Sequence, residues 1–335
     1  MKHKSVSMSD IAQALGVSKN AVSLALRGRS GVSEALRRQI VEKAREMDYA
    51  GSGGSSCCIL ALIPQRIALL GEGMFFQRLC LQLNTCARAK DAILVCVNIT
   101  EQEEASLVFK PMLNLGTFQG VMTIGNLSRE YCRKISECGL RYVAVDHSYS
   151  DLPVDSVTTA NESGAYCLTK HLIECGHRRI QFIGRPSRTA SLFERWVGFQ
   201  HAMSEAGLPI FHNLMTEAVS HEHDSESEYP LVVRALEAMP ELPTAFVCGH
   251  DLTAKNVVGA LARRGLRCPE DFSIVGFDDI QQPDLLPLEL TTYRTPVSQI
   301  AETSVELLLG PRHAAPQKIE LFGEIVRRSS VKPLA

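Results

Sequence analysis

Residues 7–26 read SMSDIAQALGVSKNAVSLAL, two short helical patterns hinged at Gly16. Ile11 and Leu15 stand four apart on the first, and Val22 and Leu26 four apart on the second. Ala12 and Ala21 are small enough to let the two helices cross closely. Ser7 with Asp10 three positions later forms a capping-box pattern, and Ser18 sits where it caps the second helix after the Gly16-Val17 turn. Ser33 then precedes a third amphipathic run, Glu34 to Met47, with Leu36, Ile40, Ala44 and Met47 at three- and four-residue spacing. The spacing predicts a three-helix domain of the helix-turn-helix kind, which places its second helix against base edges of DNA.

Charge agrees with that reading. Residues 1–50 hold nine Lys and Arg against five acids, a net +4, in a chain whose total is −2. A cationic end that neutralises phosphates, joined to an anionic body with no polyanion to bind, is the expected division. At 335 residues and 45% hydrophobic composition, the chain is long enough for a small head and a body of about two domains. No apolar run reaches the roughly 18 residues of a membrane span, and the N-terminus lacks the apolar core of a secretory signal. A cytoplasmic protein without membrane attachment is expected. The eleven cysteines include no C-x-x-C pair, which predicts reduced, mostly buried thiols.

The head is expected over residues 1–49, and Ala50-Gly51-Ser52-Gly53-Gly54-Ser55-Ser56 predicts a flexible linker over 50–56. Beyond it apolar runs alternate with amphipathic ones: Cys58–Ile63 then Phe75–Arg88, Ile93–Val97 then Glu103–Leu115, Val121–Ile124 then Arg129–Cys138, and Tyr142–Val145. A second series contains Ile180–Ile183, Arg195–Ala206, Ala245–Cys248, Thr253–Arg264 and Ile274–Phe277. Such alternation predicts α/β lobes with parallel sheets covered on both faces. Ligands of such lobes bind outside the carboxyl ends of the strands.

Several stretches together resemble the lactose-repressor and galactose-repressor (LacI/GalR) family of bacterial transcription factors. In the head these are Asp10-Ile11-Ala12, Gly16-Val17-Ser18, Val22-Ser23 and Leu24-Ala25-Leu26-Arg27-Gly28. In the body they are Phe75-Phe76, His171-Leu172-Ile173, Gly176-His177-Arg178-Arg179-Ile180, Arg195 with Gly198-Phe199, Pro269-Glu270-Asp271-Phe272-Ser273, Val275-Gly276-Phe277-Asp278-Asp279 and Leu290-Thr291-Thr292. The resemblance implies an all-α helix-turn-helix head plus an α/β periplasmic-binding-protein-like body of two doubly wound parallel-sheet lobes. The effector-binding body, 57–330, is then discontinuous, with lobe 1 over about 57–157 and 295–322 and lobe 2 over about 158–291 and 323–330.

It also implies a sequence-specific regulator, a repressor, that binds a double-stranded DNA operator as a homodimer under control of a small molecule held between the lobes. At the DNA, Lys19 and Asn20 face the bases, Leu24 lies one turn further along, and Ser18, Ser23 and Arg27 are placed for phosphates. At the effector, which is a sugar, sugar phosphate or nucleobase, the expected contacts are Phe75, Phe76, Asp146, Ser191, Arg195, His250 and Asp278. Arg195 supplies a fork for hydroxyls or a carboxylate, and Asp146 and Asp278 end strands as hydroxyl acceptors. His250 stands where the family commonly has Asn. The stretch Ser329–Ala335 has no leucine heptad, so a tetramer is not expected.

One departure bears on the DNA. Family members usually follow Tyr-x-Pro-Asn with a hinge helix that inserts a leucine into the minor groove, whereas Tyr49 here precedes the Gly-Ser stretch. The alternative reading is therefore a ligand receptor of the same fold with weakened or non-specific DNA binding. An enzyme is not expected, because Gly71-Glu72-Gly73 is only part of a G-x-G-x-x-G, with Phe76 in the third glycine's place. No cofactor or metal is expected either; His221-Glu222-His223-Asp224 reads as an exposed polar loop without the further ligands of a tetrahedral set.

Overall fold

The computed structural model describes residues 6–26, 31–47, 57–69, 73–107, 118–211, 228–280 and 289–334. Arg27, the 50–56 linker, Gly71-Glu72 and His221-Glu222-His223-Asp224 lie outside them.

The head is three helices: α1 (Met8–Leu15), α2 (Lys19–Leu26) and α3 (Glu34–Glu46). The Ser7 side chain accepts from the Asp10 amide while the Asp10 carboxylate accepts from the Ser7 amide, closing the expected capping box. Gly16 ends α1 in the left-handed region at φ 66°, where a side chain would be strained. Ile11, Ala12, Val22, Ala25, Ile40 and Ala44 close the core, with Leu15, Leu26, Leu36 and Met47 packed around it.

The body continues as β1 (Cys57–Pro64), α4 (Gln65–Leu69), α5 (Gly73–Ala89), β2 (Ala92–Ile99), α6 (Glu101–Ala105), β3 (Phe118–Ile124), α7 (Arg129–Ser136), β4 (Arg141–Val145) and β5 (Asp155–Thr159). Next come α8 (Asn161–Glu174), β6 (Ile180–Ile183), α9 (Ala190–Glu205), α10 (Tyr229–Glu237), β7 (Ala245–Cys248), α11 (Asp251–Ala262), β8 (Ser273–Phe277) and β9 (Thr291–Arg294). The chain ends with α12 (Val297–Leu309), β10 (Lys318–Leu321) and β11 (Glu324–Val326).

Two sheets result, ordered β10-β5-β4-β3-β1-β2 and β11-β9-β8-β7-β6. In the first, α5 and α12 cover one face through Leu79, Leu83, Ile300 and Val305, and α7 the other through Tyr131 and Ile135. In the second, α8 and α9 cover one face through Leu168, Leu172, Phe199 and Met203, and α10 and α11 the other. The chain passes between the sheets after β5, after β9 and after β10.

Several sequence expectations are corrected here. The second sheet is not wholly parallel, since β11 pairs antiparallel with β9. The cause is the short Phe322-Gly323 passage: β10 delivers the chain at the cleft, where the parallel strands of the second sheet end, so β11 must run the other way. Near the expected limits of about 157 and 291, β5 keeps the chain in the first sheet through Thr159 and β9 keeps it in the second through Arg294. Of the run read as a helix over Glu103–Leu115, the described part belongs to α6, which starts at Glu101, capped by Thr100, and ends at Ala105; residues 108–115 lie outside the described residues. The cysteines are free, but only Cys132 and Cys248 are fully buried, while Cys96 and Cys167 are exposed.

Helices α8 and α9 cross at Gly198, where a Cβ would lie 2.0 Å from the Glu162 carbonyl oxygen. Because that neighbour is backbone, Gly198→Ala is expected to cost about 1–3 kcal/mol, read as a lower midpoint of chemical unfolding. An unchanged midpoint would show that the helices separate freely.

Candidate functional site

On the head, Ser18, Lys19 and Asn20 are exposed at the start of α2, where the Ser18 hydroxyl accepts from the Ala21 amide at 3.0 Å. Ser23 and Leu24 are half-buried further along α2. The helix is held from behind by Arg37 of α3, whose guanidinium donates to the Ala25 carbonyl at 3.2 Å. Lys19 and Asn20 are therefore presented on a braced helix and leave the core to Val22 and Ala25.

In the body, the strand ends of both sheets meet around a cavity of about 80 Å³. That is room for a few waters. Every expected effector residue lines it: Phe75 and Phe76 on α5, Asp146 after β4, Ser191 and Arg195 on α9, His250 after β7, and Asp278 after β8. Phe75 is also core, 7% exposed and edge-on to Phe76 with ring centroids 5.1 Å apart.

Arg195 is the centre of the arrangement. Its Nε donates to Asn161 Oδ1 at 2.9 Å, Nη1 to the Gly249 carbonyl at 2.7 Å and Nη2 to Asp278 Oδ1 at 3.2 Å. The guanidinium carbon lies 3.6 Å from the centroid of the Phe277 ring. The fork expected to embrace a ligand is thus held largely by protein, leaving two of its five N–H groups without a place in these bonds. Asp278 is correspondingly neutralised by its partner.

His250 lines the cleft and is also tied to the protein. Its Nδ1 accepts from the Thr253 amide at 3.1 Å, capping α11, and its Nε2 lies 3.9 Å from Glu228 Oε1. An accepting Nδ1 puts the proton of the neutral ring on Nε2, facing Glu228. The imidazole therefore lines the cleft while its nitrogens serve the protein, because the start of α11 needs a cap.

Sequence reading missed His147, also in the lining. Burial pushes its pKa down to about 4, so the ring is neutral; Nδ1 donates to the Val145 carbonyl at 3.1 Å and Nε2 accepts from Thr123 Oγ1 at 3.0 Å. Asn126, Arg188, Thr189, Leu192, Leu252 and Ile280 were missed as well. Their common signal is place: each follows a strand or opens a helix at the cleft. Thr189 caps α9, accepting from the Leu192 amide at 3.1 Å, and bonds Ser191 Oγ at 2.9 Å.

Beneath Asp278 lies Asp251, whose oxygens accept from Thr292 Oγ1 at 2.6 Å and the Ile280 amide at 2.7 Å. Burial, then Asp278, push its pKa up to about 7. Burial also acts to raise Asp279, but Arg294 and Arg328 outweigh it and hold that carboxyl below its ordinary value. Among the described residues, no three His, Cys, Asp or Glu side chains converge on a metal site. Nor, among those residues, is any helix long and apolar enough to cross a membrane.

Two family models match the chain, the lacI family of bacterial regulatory proteins over residues 7–52 and a periplasmic binding protein-like domain over 169–331. The chain belongs to the lacI family of bacterial regulatory proteins. It is 27% identical over 333 residues to the HTH-type transcriptional repressor PurR of Aliivibrio salmonicida, covering 97% of this chain and 98% of that one. The PurR of Actinobacillus pleuropneumoniae is likewise 27% identical, over 335 residues, with the same coverage. Among solved structures, the lac repressor dimer bound to operator and the anti-inducer ONPF superposes with a TM-score of 0.68 at 20% identity, covering 98% of this chain and 100% of that one. The CelR–cellobiose complex gives 0.67 at 21% identity, covering 97% and 99%. The regulator is thus a DNA-binding repressor controlled by a small effector in its periplasmic-binding-protein-like body, from a family of repressors and not of enzymes.

Proposed function

We propose that this repressor works in the cytoplasm as a homodimer, with a head over 1–49, a linker over 50–56 and a two-lobed body over 57–330. Lys19 and Asn20 read the bases, Leu24 touches a thymine methyl, and Ser18, Ser23 and Arg27 hold the phosphates. Phe75, Phe76, Asp146, Ser191, Arg195 and Asp278 receive the effector, with His250 shaping the wall.

The observation that carries the effector class is the charge of the lining. Arg195 and Asp278 cancel, and the remaining Asp146 and Arg188 balance each other. Such a cleft favours a neutral hydroxyl-bearing ring, a sugar before a sugar phosphate, with the Phe75-Phe76 pair against its apolar face. The bound ligands named for related structures, cellobiose, ribose and glucose, are neutral sugars.

A second copy seats on the β2 edge of the first sheet, where Ile93 of β2 is 49% and Leu81 of the adjoining α5 is 62% exposed. The second reading, weakened operator binding, has the Ala50–Ser56 sequence in its favour: a Gly-Ser tether carries no minor-groove wedge and lowers the effective concentration of the second head. Thermal shift against neutral sugars, sugar phosphates and nucleobases tests the effector class. A ligand at a hundred times its Kd is expected to add about 2.7 kcal/mol, and stabilisation by phosphorylated compounds alone would overturn the neutral-ring reading.

A further inference from the structure

After β8 the backbone passes through the left-handed region twice, at Asp278 with φ 104° and at Asp279 with φ 52°. Residues with side chains rarely adopt that region, so the surrounding structure must hold them there. The Asp278 amide donates to the Tyr293 carbonyl at 2.8 Å and the Ile280 amide to Asp251 at 2.7 Å. Between these anchors, the Asp279 carboxylate is 2% exposed and gripped by Arg294 Nε at 2.7 Å and Arg328 Nη2 at 2.6 Å.

The origin of the two arginines is the informative part. Arg294 is the last residue of β9, directly before the Thr295-Pro296 passage into α12; Arg328 follows β11, just after the Phe322-Gly323 passage. Arg294 also bonds Glu324 Oε1 at 2.6 Å, joining the two passages. Gly323 packs so closely that a Cβ there would meet the Arg294 carbonyl oxygen at 2.0 Å. Thr295 Oγ1 donates to Asp278 Oδ1 at 3.3 Å, and from the other lobe Arg78 Nη1 donates to the Asp279 carbonyl at 3.4 Å.

We propose that Asp279 is a positioning residue that ties the cleft acid Asp278 to two of the three interlobe passages, so that a molecule engaging Asp278 resets the angle between the lobes. The inference rests on the reading of this cleft as the effector site. The turn is already held from α11 by Asp251, and Arg294, its neighbour across the β8–β9 pair, is also the residue that opens the Thr295-Pro296 passage. Arg328 comes from just beyond β11, the strand into which the Phe322-Gly323 passage leads, so the Asp279 carboxylate joins the elements next to both passages. Charge-assisted bonds to a carboxylate shielded from water hold more firmly than exposed ones, so the passages follow a shift of the neighbouring peptide.

Hydrogen exchange on the ligand-free full chain is the first test. In Asp279→Asn, amides of residues 291–297 and 321–328 are expected to exchange roughly tenfold faster while β7 stays protected, and Asp279→Glu to recover part of the difference. Unchanged passages, or equal acceleration throughout the body, would overturn the proposal. The second test adds whichever of ribose, glucose or cellobiose raises the wild-type melting temperature. The Asn variant is expected to keep most of that rise but lose the sugar-induced change in retention of genomic DNA fragments; an intact change overturns the coupling. If none of the three sugars shifts the wild type, the sugar reading of the cleft fails, and the exchange measurement alone decides the role of Asp279.

Discussion

Arg195→Ala is expected to abolish effector-induced stabilisation and to lower the stability of the ligand-free body by on the order of 3 kcal/mol. Removal of the guanidinium strands three acceptors at once, namely Asn161 Oδ1, the Gly249 carbonyl and Asp278 Oδ1. Asp278 keeps only the Thr295 hydroxyl among the side-chain partners described above. The Phe277 face also loses its stacked cation. A carboxylate left charged in a cleft without its partner costs far more than the pair contributed, which is why truncation should be severe. Arg195→Lys is expected to restore only part, because an ammonium cannot reach three acceptors from one planar fork. The check is calorimetry with and without the stabilising sugar. Asp278→Asn, which leaves the Asn161 and Gly249 bonds in place, separates loss of the site from loss of the fold. Full ligand-induced stabilisation in Arg195→Ala would remove this residue from the effector site.

Much of this cleft could be read from the chain because its residues sit at transitions between periodicities. Asp146 and Asp278 end apolar runs, so strand-end logic placed both at the cleft, whereas Arg195, in the second turn of α9, was reached only through the family resemblance. Local chemistry also sufficed in the head, where Ser7, Gly16 and Ser18 act on groups three or four residues away. What escaped depends on long-range pairing. His147 was invisible because its role comes from Thr123 and from burial under a neighbouring strand. The second duty of His250 also escaped, because nothing local reveals Glu228 or the need of α11 for a cap. The reversal of β11 follows from where β10 releases the chain, a fact of topology rather than of the short Glu324–Val326 pattern. Asp279 had no role of its own in the sequence, because its partners Arg294 and Arg328 lie 15 and 49 residues away.

Simultaneous truncation of Lys19 and Asn20 to Ala is expected to leave the head folded and to erase most of its preference among DNA sequences. Both side chains are exposed, and Ala is a better helix former than either, so α2 should persist on its Val22 and Ala25 core. Bidentate pairing of Asn with adenine, or of Lys with guanine acceptors, contributes roughly 1–3 kcal/mol of discrimination each. Loss of both should therefore reduce preference for a selected genomic fragment over bulk DNA by about thirtyfold at least and toward ten-thousandfold at most. Binding to bulk DNA should weaken much less, because the other basic residues of the first 50 remain to displace counterions. Ser18→Ala supplies the contrast. It removes the cap on Ala21 and should lower head stability by about 1 kcal/mol while leaving the ranking of sequences intact. Competition binding at two salt concentrations measures both quantities, since phosphate contacts alter the slope with salt and base contacts alter the ranking. If the double variant ranks fragments as the native chain does, recognition lies elsewhere on the head.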